Sequence, residues 1–128
     1  MITPAFIGIG SNLTGDRALT EVRRCISWLC QEFPRTAAAE PYVTEGEGVK
    51  SAGMTYINSV ARIYTVKSAD EVNAMLKDYE ASRGRRHRVP EVTIDADLVT
   101  FGECILRPID FMRSYFQRGY RQITKNES

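Results

Sequence analysis

The chain has 128 residues, of which 43% are apolar and 26% charged, as expected for a single soluble globular domain over residues 1–128. Its formal net charge of +1 excludes an overall electrostatic case for binding nucleic acid or a membrane surface, so any positive field has to be local. Three cysteines without a metal-binding spacing do not suggest a disulfide framework or a zinc site. We find no secretory leader and no apolar run of membrane-spanning length, so we expect a cytoplasmic protein.

The N-terminal region predicts a strand and then a helix. Residues 5–9 are an apolar run that continues into Gly8-Ile9-Gly10-Ser11-Asn12-Leu13. This is not a dinucleotide-binding loop, because Leu13 stands where the third glycine is required. The helix is predicted over residues 16–33, and it carries Cys25 and Cys30 as expected buried thiols. Its core-facing stripe has apolar residues at steps of three and four: Leu19, Val22, Ile26, Leu29 and Phe33.

Two strands and a second helix follow. The strands are predicted over residues 37–44 and 55–65, with a glycine-rich charged loop at 45–53 between them. In the second strand one side carries Tyr56, Asn58, Val60, Arg62 and Tyr64. The helix begins with a capping box formed by Ser68 and Glu71 and ends near Gly84.

Glu80 is out of place in this second helix. It lies beside the apolar stripe and near the helix C-terminus, where the helix dipole disfavours a carboxylate. A local cation or hydrogen-bond donor would explain it, and so would tolerance at an exposed surface.

The most informative segment is a predicted strand over residues 92–102. Because side chains alternate along a strand, Asp95 and Asp97 share one face, about 6.6 Å apart along the strand. Two like charges at this spacing are unfavourable on a half-buried surface unless a cation lies between them. Hard oxygen ligands of this kind suit Mg²⁺, although a solvated face on an edge strand is the alternative.

The C-terminal region predicts a hairpin and a last helix. Gly102-Glu103 is a turn into residues 104–106, and a helix is predicted over 109–123. From Thr124 onward we expect a frayed tail. The order strand, helix, strand, strand, helix, strand is that of an α+β, ferredoxin-like sandwich with a βαββαβ core and a mainly antiparallel sheet. In that fold the first strand and the aspartate strand can be central neighbours.

A dense positive run, Arg83-Gly84-Arg85-Arg86-His87-Arg88, leads into the aspartate strand. Arginines beside paired carboxylates are the groups that phosphoryl transfer needs, since Mg²⁺ and arginines spread the charge of the transferred phosphate. By itself the run would be a solvated loop or a nucleic-acid patch.

Several short motifs resemble those of the 6-hydroxymethyl-7,8-dihydropterin pyrophosphokinase (HPPK) family. They occur in the family's order from about Phe6 to Gly102, and the aspartate strand is the most specific. The matching pieces are Gly10-Ser11-Asn12-Leu13, Tyr42-Val43-Thr44, Tyr56-Ile57-Asn58, Glu80 with Gly84-Arg85, and Thr93-Ile94-Asp95-Ala96-Asp97-Leu98.

The resemblance implies an α/β/α sandwich and transfer of pyrophosphate from ATP to the pterin hydroxymethyl group, leaving AMP. It implies two Mg²⁺ ions at Asp95 and Asp97, with Arg85 facing the phosphates. Arg88 is a further candidate catalytic residue, as a replacement for positive charge that the chain lacks relative to the family. The implied ATP contacts are Lys77, Glu80, Arg85, Leu98 and Arg118, and the implied pterin contacts are Thr44, Tyr56, Asn58 and Tyr120. The expected partners are small molecules, and the expected state is a monomer.

The chain also departs from the family pattern. The loop before the aspartate strand is short and lacks a tryptophan, and Val92 stands where the family has an arginine. Ile109-Asp110 follows Pro108 in place of His-Tyr, Arg118-Gly119-Tyr120 is at a shifted distance, and the family's usual C-terminal segment is not found. Three hypotheses therefore stay open: a shortened pyrophosphokinase with reduced activity, a degenerate binder of pterin or nucleotide, and a ferredoxin-like nucleic-acid binder using residues 83–88.

Overall fold

The computed structural model describes residues 1–46, 54–86 and 88–127. The elements are β1 (Thr3–Ser11), α1 (Asp16–Glu32), β2 (Ala37–Ala38), β3 (Tyr42–Glu45), β4 (Thr55–Thr65), α2 (Ala69–Ser82), β5 (Asp95–Phe101), β6 (Cys104–Ile105), α3 (Pro108–Met112) and α4 (Ser114–Glu127). Most of the loop predicted at 45–53 lies outside the described residues, as does His87 of the arginine run.

The strands form one antiparallel sheet in the order β2-β4-β1-β5-β6, and β3 also pairs with β4. The central strand is β1, which lies between β4 and β5. Gly10 is opposite Asn58 on one side and Asp95 on the other, and Gly8 is opposite Asp97. The predicted α+β class is confirmed, and the first strand and the aspartate strand are neighbours, as expected.

Helices cover both faces of the sheet, because the central strands carry apolar side chains on both faces. On one face Ile7 and Leu98 pack with Val22 of α1 and Leu76 of α2 in a fully buried cluster. On the other face the central residue is Phe116 of α4, in a smaller cluster with Val60, Val99 and Ile123. These layers form the predicted α/β/α sandwich. On the face covered by α4 the apolar cluster is smaller, and a cleft lies beside it.

The single strand predicted at 37–44 is wrong in detail, since the segment forms two short strands. Ala38 is opposite Ala61 and Tyr42 is opposite Asn58, so three residues on this side face two on β4. The extra residue makes a bulge. Pro41 lies in it and has no N–H for the ladder.

The aspartate strand begins at Asp95, three residues later than predicted. The preceding residues are joined to the end of β1 by one backbone hydrogen bond and by side-chain hydrogen bonds instead of a regular ladder. The Ser11 hydroxyl and the Asn12 N–H both donate to the Val92 carbonyl, at 3.2 and 3.0 Å. The Asn12 side chain also accepts the Val92 N–H at 2.5 Å.

The C-terminal helix predicted at 109–123 is two helices with a break at Arg113, whose φ of −70° and ψ of 145° are extended. The predicted fraying from Thr124 is wrong, because α4 continues to Glu127. The Thr124 hydroxyl donates to the Tyr120 carbonyl at 2.9 Å. Glu127 forms an ion pair with Arg62 on β4, which holds the end of the helix against the sheet.

One cysteine prediction is also corrected. Cys25 is buried in α1 as expected, but Cys30 is exposed on the same helix. Five residues on a helix correspond to about 500°, which turns the second thiol well away from the core stripe. Across the residues that the structure describes, no helix is both long and apolar enough to cross a membrane.

Candidate active site

A cleft of about 130 Å³ opens on the face of the sheet that α3 and α4 cover. The middle of the sheet forms its floor, and the α3–α4 segment closes one side. Its lining includes Gly8, Gly10, Thr44, Tyr56, Asn58, Asp95, Asp97, Asp110, Tyr115 and Phe116.

Asp95 and Asp97 both line this cleft, and each has a cation beside it. Arg85 Nε lies 3.0 Å from Asp95 Oδ1, and Lys77 Nζ lies 2.9 Å from Asp97 Oδ1. Burial raises the pKa of Asp95, and the neighbouring charge of Asp97 raises it further against the opposing effect of Arg85. The pair is thus a site of concentrated negative charge.

Lys77 of α2 connects the aspartate pair of β5 to Glu80, which is on the same helix as Lys77. Glu80 is 3% exposed and accepts hydrogen bonds from Lys77 Nζ at 3.0 Å and from the Ala96 N–H at 2.7 Å. Burial raises the pKa of Glu80 despite these donors. Burial lowers the pKa of Lys77, but Asp97 and Glu80 outweigh it and the net shift is upward. Of the two explanations for Glu80, a local cation and donor is correct.

Asn58 and Thr44 form a polar pair on the other side of Gly10. The Thr44 hydroxyl donates to Asn58 Oδ1, and Asn58 Nδ2 donates to the Ile9 carbonyl at 3.3 Å. Asn58 is only 7% exposed. A Cβ on Gly10 would lie 2.7 Å from Asn58 Nδ2, so the absence of a side chain at residue 10 lets the amide lie there.

A third carboxylate, that of Asp110, faces the cleft from α3. Its oxygens accept the Tyr115 hydroxyl at 2.6 Å and Arg107 Nε at 2.5 Å. Burial raises the pKa of Asp110, but these two donors and the charge of Arg107 outweigh it, so the net shift is downward. Sequence reasoning missed both Asp110 and Tyr115. The one signal for Asp110 is the departure from the family pattern after Pro108, and there is none for Tyr115, which the helix break at Arg113 brings to the cleft.

The aspartate pair fits Mg²⁺ by the chemistry of its donors. Within the described part of the chain no group of three or more His, Cys, Asp or Glu side chains could form a complete protein cage for a metal. Mg²⁺ needs no such cage, because it is held by one or two carboxylates together with waters and substrate phosphates. Asp95 and Asp97 provide that number of hard oxygen ligands on one wall of the cleft.

The structure leaves other predicted site residues outside the cleft lining. Leu98 points to the opposite face, where it is 4% exposed in the core, because it alternates with Asp97. Tyr120 packs against Phe6 with ring centroids 4.8 Å apart. The Arg118 guanidinium is 4.6 Å from the centroid of the Tyr42 ring. Arg88 is exposed.

Residues 6–124, nearly the whole chain, match the family model described as 7,8-dihydro-6-hydroxymethylpterin-pyrophosphokinase (HPPK). The match takes in every residue of the cleft named above. The chain belongs to the HPPK family. A comparison with curated proteins gives no significant match. Members of this family are pyrophosphokinases of the folate pathway that use ATP with Mg²⁺, so the resemblance in the sequence motifs is confirmed at the level of the family.

Proposed function

We propose that this HPPK-family protein transfers pyrophosphate from ATP to the hydroxymethyl group of 6-hydroxymethyl-7,8-dihydropterin in a Mg²⁺-dependent reaction. In this transfer the hydroxymethyl oxygen bonds to the β-phosphorus, the bond to the α-phosphate breaks, AMP leaves and the hydroxyl proton is lost. The observation that carries the proposal is the position of Gly10, which has Asn58 opposite on one neighbouring strand and Asp95 on the other. One cleft therefore presents an amide for the pterin next to carboxylates for Mg-ATP.

Each side of the cleft would have a separate task. Asn58 offers both a donor and an acceptor, as the edge of a pterin ring requires, and Thr44 fixes the orientation of its amide. Tyr56 also lines the cleft and would contact the pterin. When bound, Mg²⁺ would neutralise phosphate charge and align the reacting groups; Asp95 and Asp97 would hold it. Arg85 already lies beside Asp95 and would donate to the phosphates.

The remaining predicted contacts are part of the same proposal. Lys77 and Glu80 would place ATP along β5, with the buried Glu80 acting through Lys77. Leu98, whose side chain is in the core, would contribute only its backbone to the ATP site. Arg88 and Arg118 are exposed and would reach ATP phosphates from the solvent side. Tyr120 would support the pterin side through the aromatic cluster around Phe116.

We propose further that turnover is slow. Val92 is 7% exposed and apolar at the position where the family resemblance places an arginine. The only tryptophan in the chain, Trp28, stacks on Tyr79 at 4.4 Å between centroids and is not in the loop before β5. Both differences remove groups that act on the developing charge or exclude water.

The experiment that tests the activity is AMP formation from ATP, with and without 6-hydroxymethyl-7,8-dihydropterin, in Mg²⁺ and in excess chelator. We expect slow AMP release that requires both the pterin and Mg²⁺. AMP release that is independent of the pterin would argue against this transfer.

A degenerate binder of pterin or nucleotide is the second candidate. The observation that favours it is the Asp110–Tyr115–Arg107 contact at the cleft wall, where Arg107 is neutralised by a carboxylate. Binding of both ligands without any AMP would support this alternative. The nucleic-acid hypothesis has less support, because Arg83 is paired with Glu21 and Arg85 with Asp95.

A further inference from the structure

Lys77 makes three hydrogen bonds, and together they use all three hydrogens of its ammonium group. The acceptors are Glu80 Oε2 at 3.0 Å, the Ala96 carbonyl at 3.1 Å and Asp97 Oδ1 at 2.9 Å. The cation is therefore fixed in place beside the aspartate pair.

Two of these three acceptors do not belong to the aspartate pair. Glu80 comes from the same helix, and its carboxylate is 3% exposed, so removing Lys77 would leave a buried negative charge without its cation. The Ala96 carbonyl belongs to the backbone of β5 and cannot turn away. Lys77 would thus stay where it is even if Asp97 rotated toward a metal ion.

Arg85 differs from Lys77 in this respect. Within the described residues its side chain contacts Asp95 and the carbonyl of Arg86, its neighbour in the chain. The Arg86 carbonyl moves with the same loop and gives no independent anchor on the sheet. Arg85 can therefore leave Asp95 for a phosphate, and one divalent ion can take its place.

A divalent ion on Asp97 Oδ1 would have an ammonium group as its immediate neighbour. The two cations would repel each other at close range, because Lys77 Nζ lies 2.9 Å from the oxygen that the ion would take. The oxygens that remain favourable are those of Asp95 and the second oxygen of Asp97, which together suit one ion. The resemblance to the family implies two.

We propose that Lys77 acts as a built-in cation in place of the second divalent ion, so that Asp95 and Asp97 hold a single Mg²⁺ together with ATP. Lys77 is then a positioning residue that fixes Asp97 and sets the metal stoichiometry. This inference rests on the proposed function, because it requires that metal and nucleotide bind at the aspartate pair.

The test is a titration with Mn²⁺, followed by the electron paramagnetic resonance signal of free Mn²⁺, with saturating α,β-methylene ATP. We expect one tightly bound Mn²⁺ per chain in the parent protein and a second in Lys77→Gln, which removes the charge. Lys67→Gln, at an exposed lysine before α2, is the matched control and should behave as the parent.

Two tight Mn²⁺ ions in the parent would overturn the inference and leave the proposed function standing. One ion in a folded Lys77→Gln variant would also overturn it, because the stoichiometry would then be set elsewhere. If that variant does not fold, Lys77→Met, which removes the charge with a side chain of similar length, takes its place in the titration. No nucleotide-dependent Mn²⁺ binding in the parent would overturn the proposed function, and the inference with it.

Discussion

The buried amide of Asn58 shows how much one residue can decide in this cleft. Its Oδ1 accepts from Thr44 and its Nδ2 donates to the Ile9 carbonyl, so its orientation is fixed before any ligand arrives. We expect Asn58→Ala to weaken pterin binding by about 1 to 3 kcal/mol, the cost of leaving buried polar groups unpaired. Isothermal titration with 6-hydroxymethylpterin measures the change.

The control for this prediction is Asn73→Ala, since Asn73 is an exposed residue of α2. It should leave pterin affinity unchanged. Parent-like pterin binding by a stably folded Asn58→Ala variant would show that the amide serves only the sheet.

Reasoning from the sequence correctly predicted side-chain orientation where side chains alternate along a strand. Asp95 and Asp97 face one cleft, and Leu98 faces the core, as a period of two requires. The same reasoning could not find the contact between Lys77 and Asp97, because it joins a helix to the edge of a strand 20 residues away. The Lys77–Asp97 contact depends on how α2 packs on β5, and local sequence patterns do not predict that packing.

At the scale of elements, an ion pair joins the first helix to the end of the second. Arg83 binds Glu21 with two nitrogens, Nε at 3.0 Å and Nη2 at 2.8 Å. This hydrogen bonding holds the pKa of Glu21 below its ordinary value of 4.5, although burial opposes it. Because the pKa is lower in the folded state, the pair stabilises the fold above about pH 4.5 and loses this effect as pH falls through the folded-state pKa.

We therefore expect Glu21→Gln to lower the free energy of unfolding at pH 7 by about 1 to 3 kcal/mol. The difference from the parent should shrink as the pH falls below about 4.5. Urea unfolding at several pH values measures it. The control is Glu40→Gln, which breaks the exposed pair with Arg23 and should cost less than about 1 kcal/mol. A pH-independent difference for Glu21→Gln would contradict the electrostatic explanation.

The packing of α4 on the sheet depends on a glycine. A Cβ at Gly119 would lie 2.7 Å from the Tyr42 hydroxyl oxygen and 2.7 Å from a methyl of Val60, closer than packed atoms approach. Alanine normally stabilises a helix by about 1 kcal/mol relative to glycine. Here we expect Gly119→Ala to destabilise by about 1 to 3 kcal/mol, because it overpacks the interface.

Thermal unfolding measures the effect of Gly119→Ala. Gln122→Ala, on the exposed side of the same helix, should change stability by less than about 0.5 kcal/mol. A stabilised Gly119→Ala variant would mean that α4 lies farther from β4 than this structure places it.

The elements with a clear period or a cap were predictable, and those shaped by their neighbours were not. The capping box of Ser68 and Glu71 begins α2 as its sequence indicates. The break at Arg113 carries no glycine or proline, and it separates a short helix beside β5 from one packed on β4. The sequence predicts fraying from Thr124 onward, but an ion pair of Glu127 with Arg62 holds the end of α4.

At the scale of the whole molecule, the fold brings two pairs of side chains into one cleft from either side of β1. The polar pair is Thr44 and Asn58, and the charged pair is Asp95 and Asp97. The order of elements predicted this neighbourhood, since in a ferredoxin-like sheet the first strand lies beside the last strand of the core. The third carboxylate at Asp110 was not predicted, because α3 lies after that core and its position depends on tertiary packing. The cleft therefore combines a predictable floor with a wall that only the structure reveals.

The last prediction compares two arginines of the run before β5. Arg85 has a side chain that is only 14% exposed, with Nε 3.0 Å from Asp95 Oδ1, so it lies beside the aspartate pair before ATP binds and has only to turn from Asp95 to a phosphate. Removing one well-placed donor of this kind costs about 2.7 to 4 kcal/mol, or about 10² to 10³ in rate. We expect Arg85→Gln to lower the rate of AMP formation by this factor, with a smaller change in the affinity for α,β-methylene ATP.

Arg88 is exposed, so its side chain loses conformational freedom when it binds a phosphate. Its contribution to the transfer rate should therefore resemble that of a surface ion pair. We expect Arg88→Gln to cost less than about 1 kcal/mol, or about five-fold in rate. Single-turnover AMP formation with pterin and Mg-ATP, beside analogue binding for each variant, separates the two effects. Equal losses in the two variants would contradict the advantage we assign to Arg85, since its position beside Asp95 is the difference between them. An Arg85→Gln variant that loses analogue affinity as strongly as rate would show that this arginine binds ATP in the ground state and has no special role in transfer.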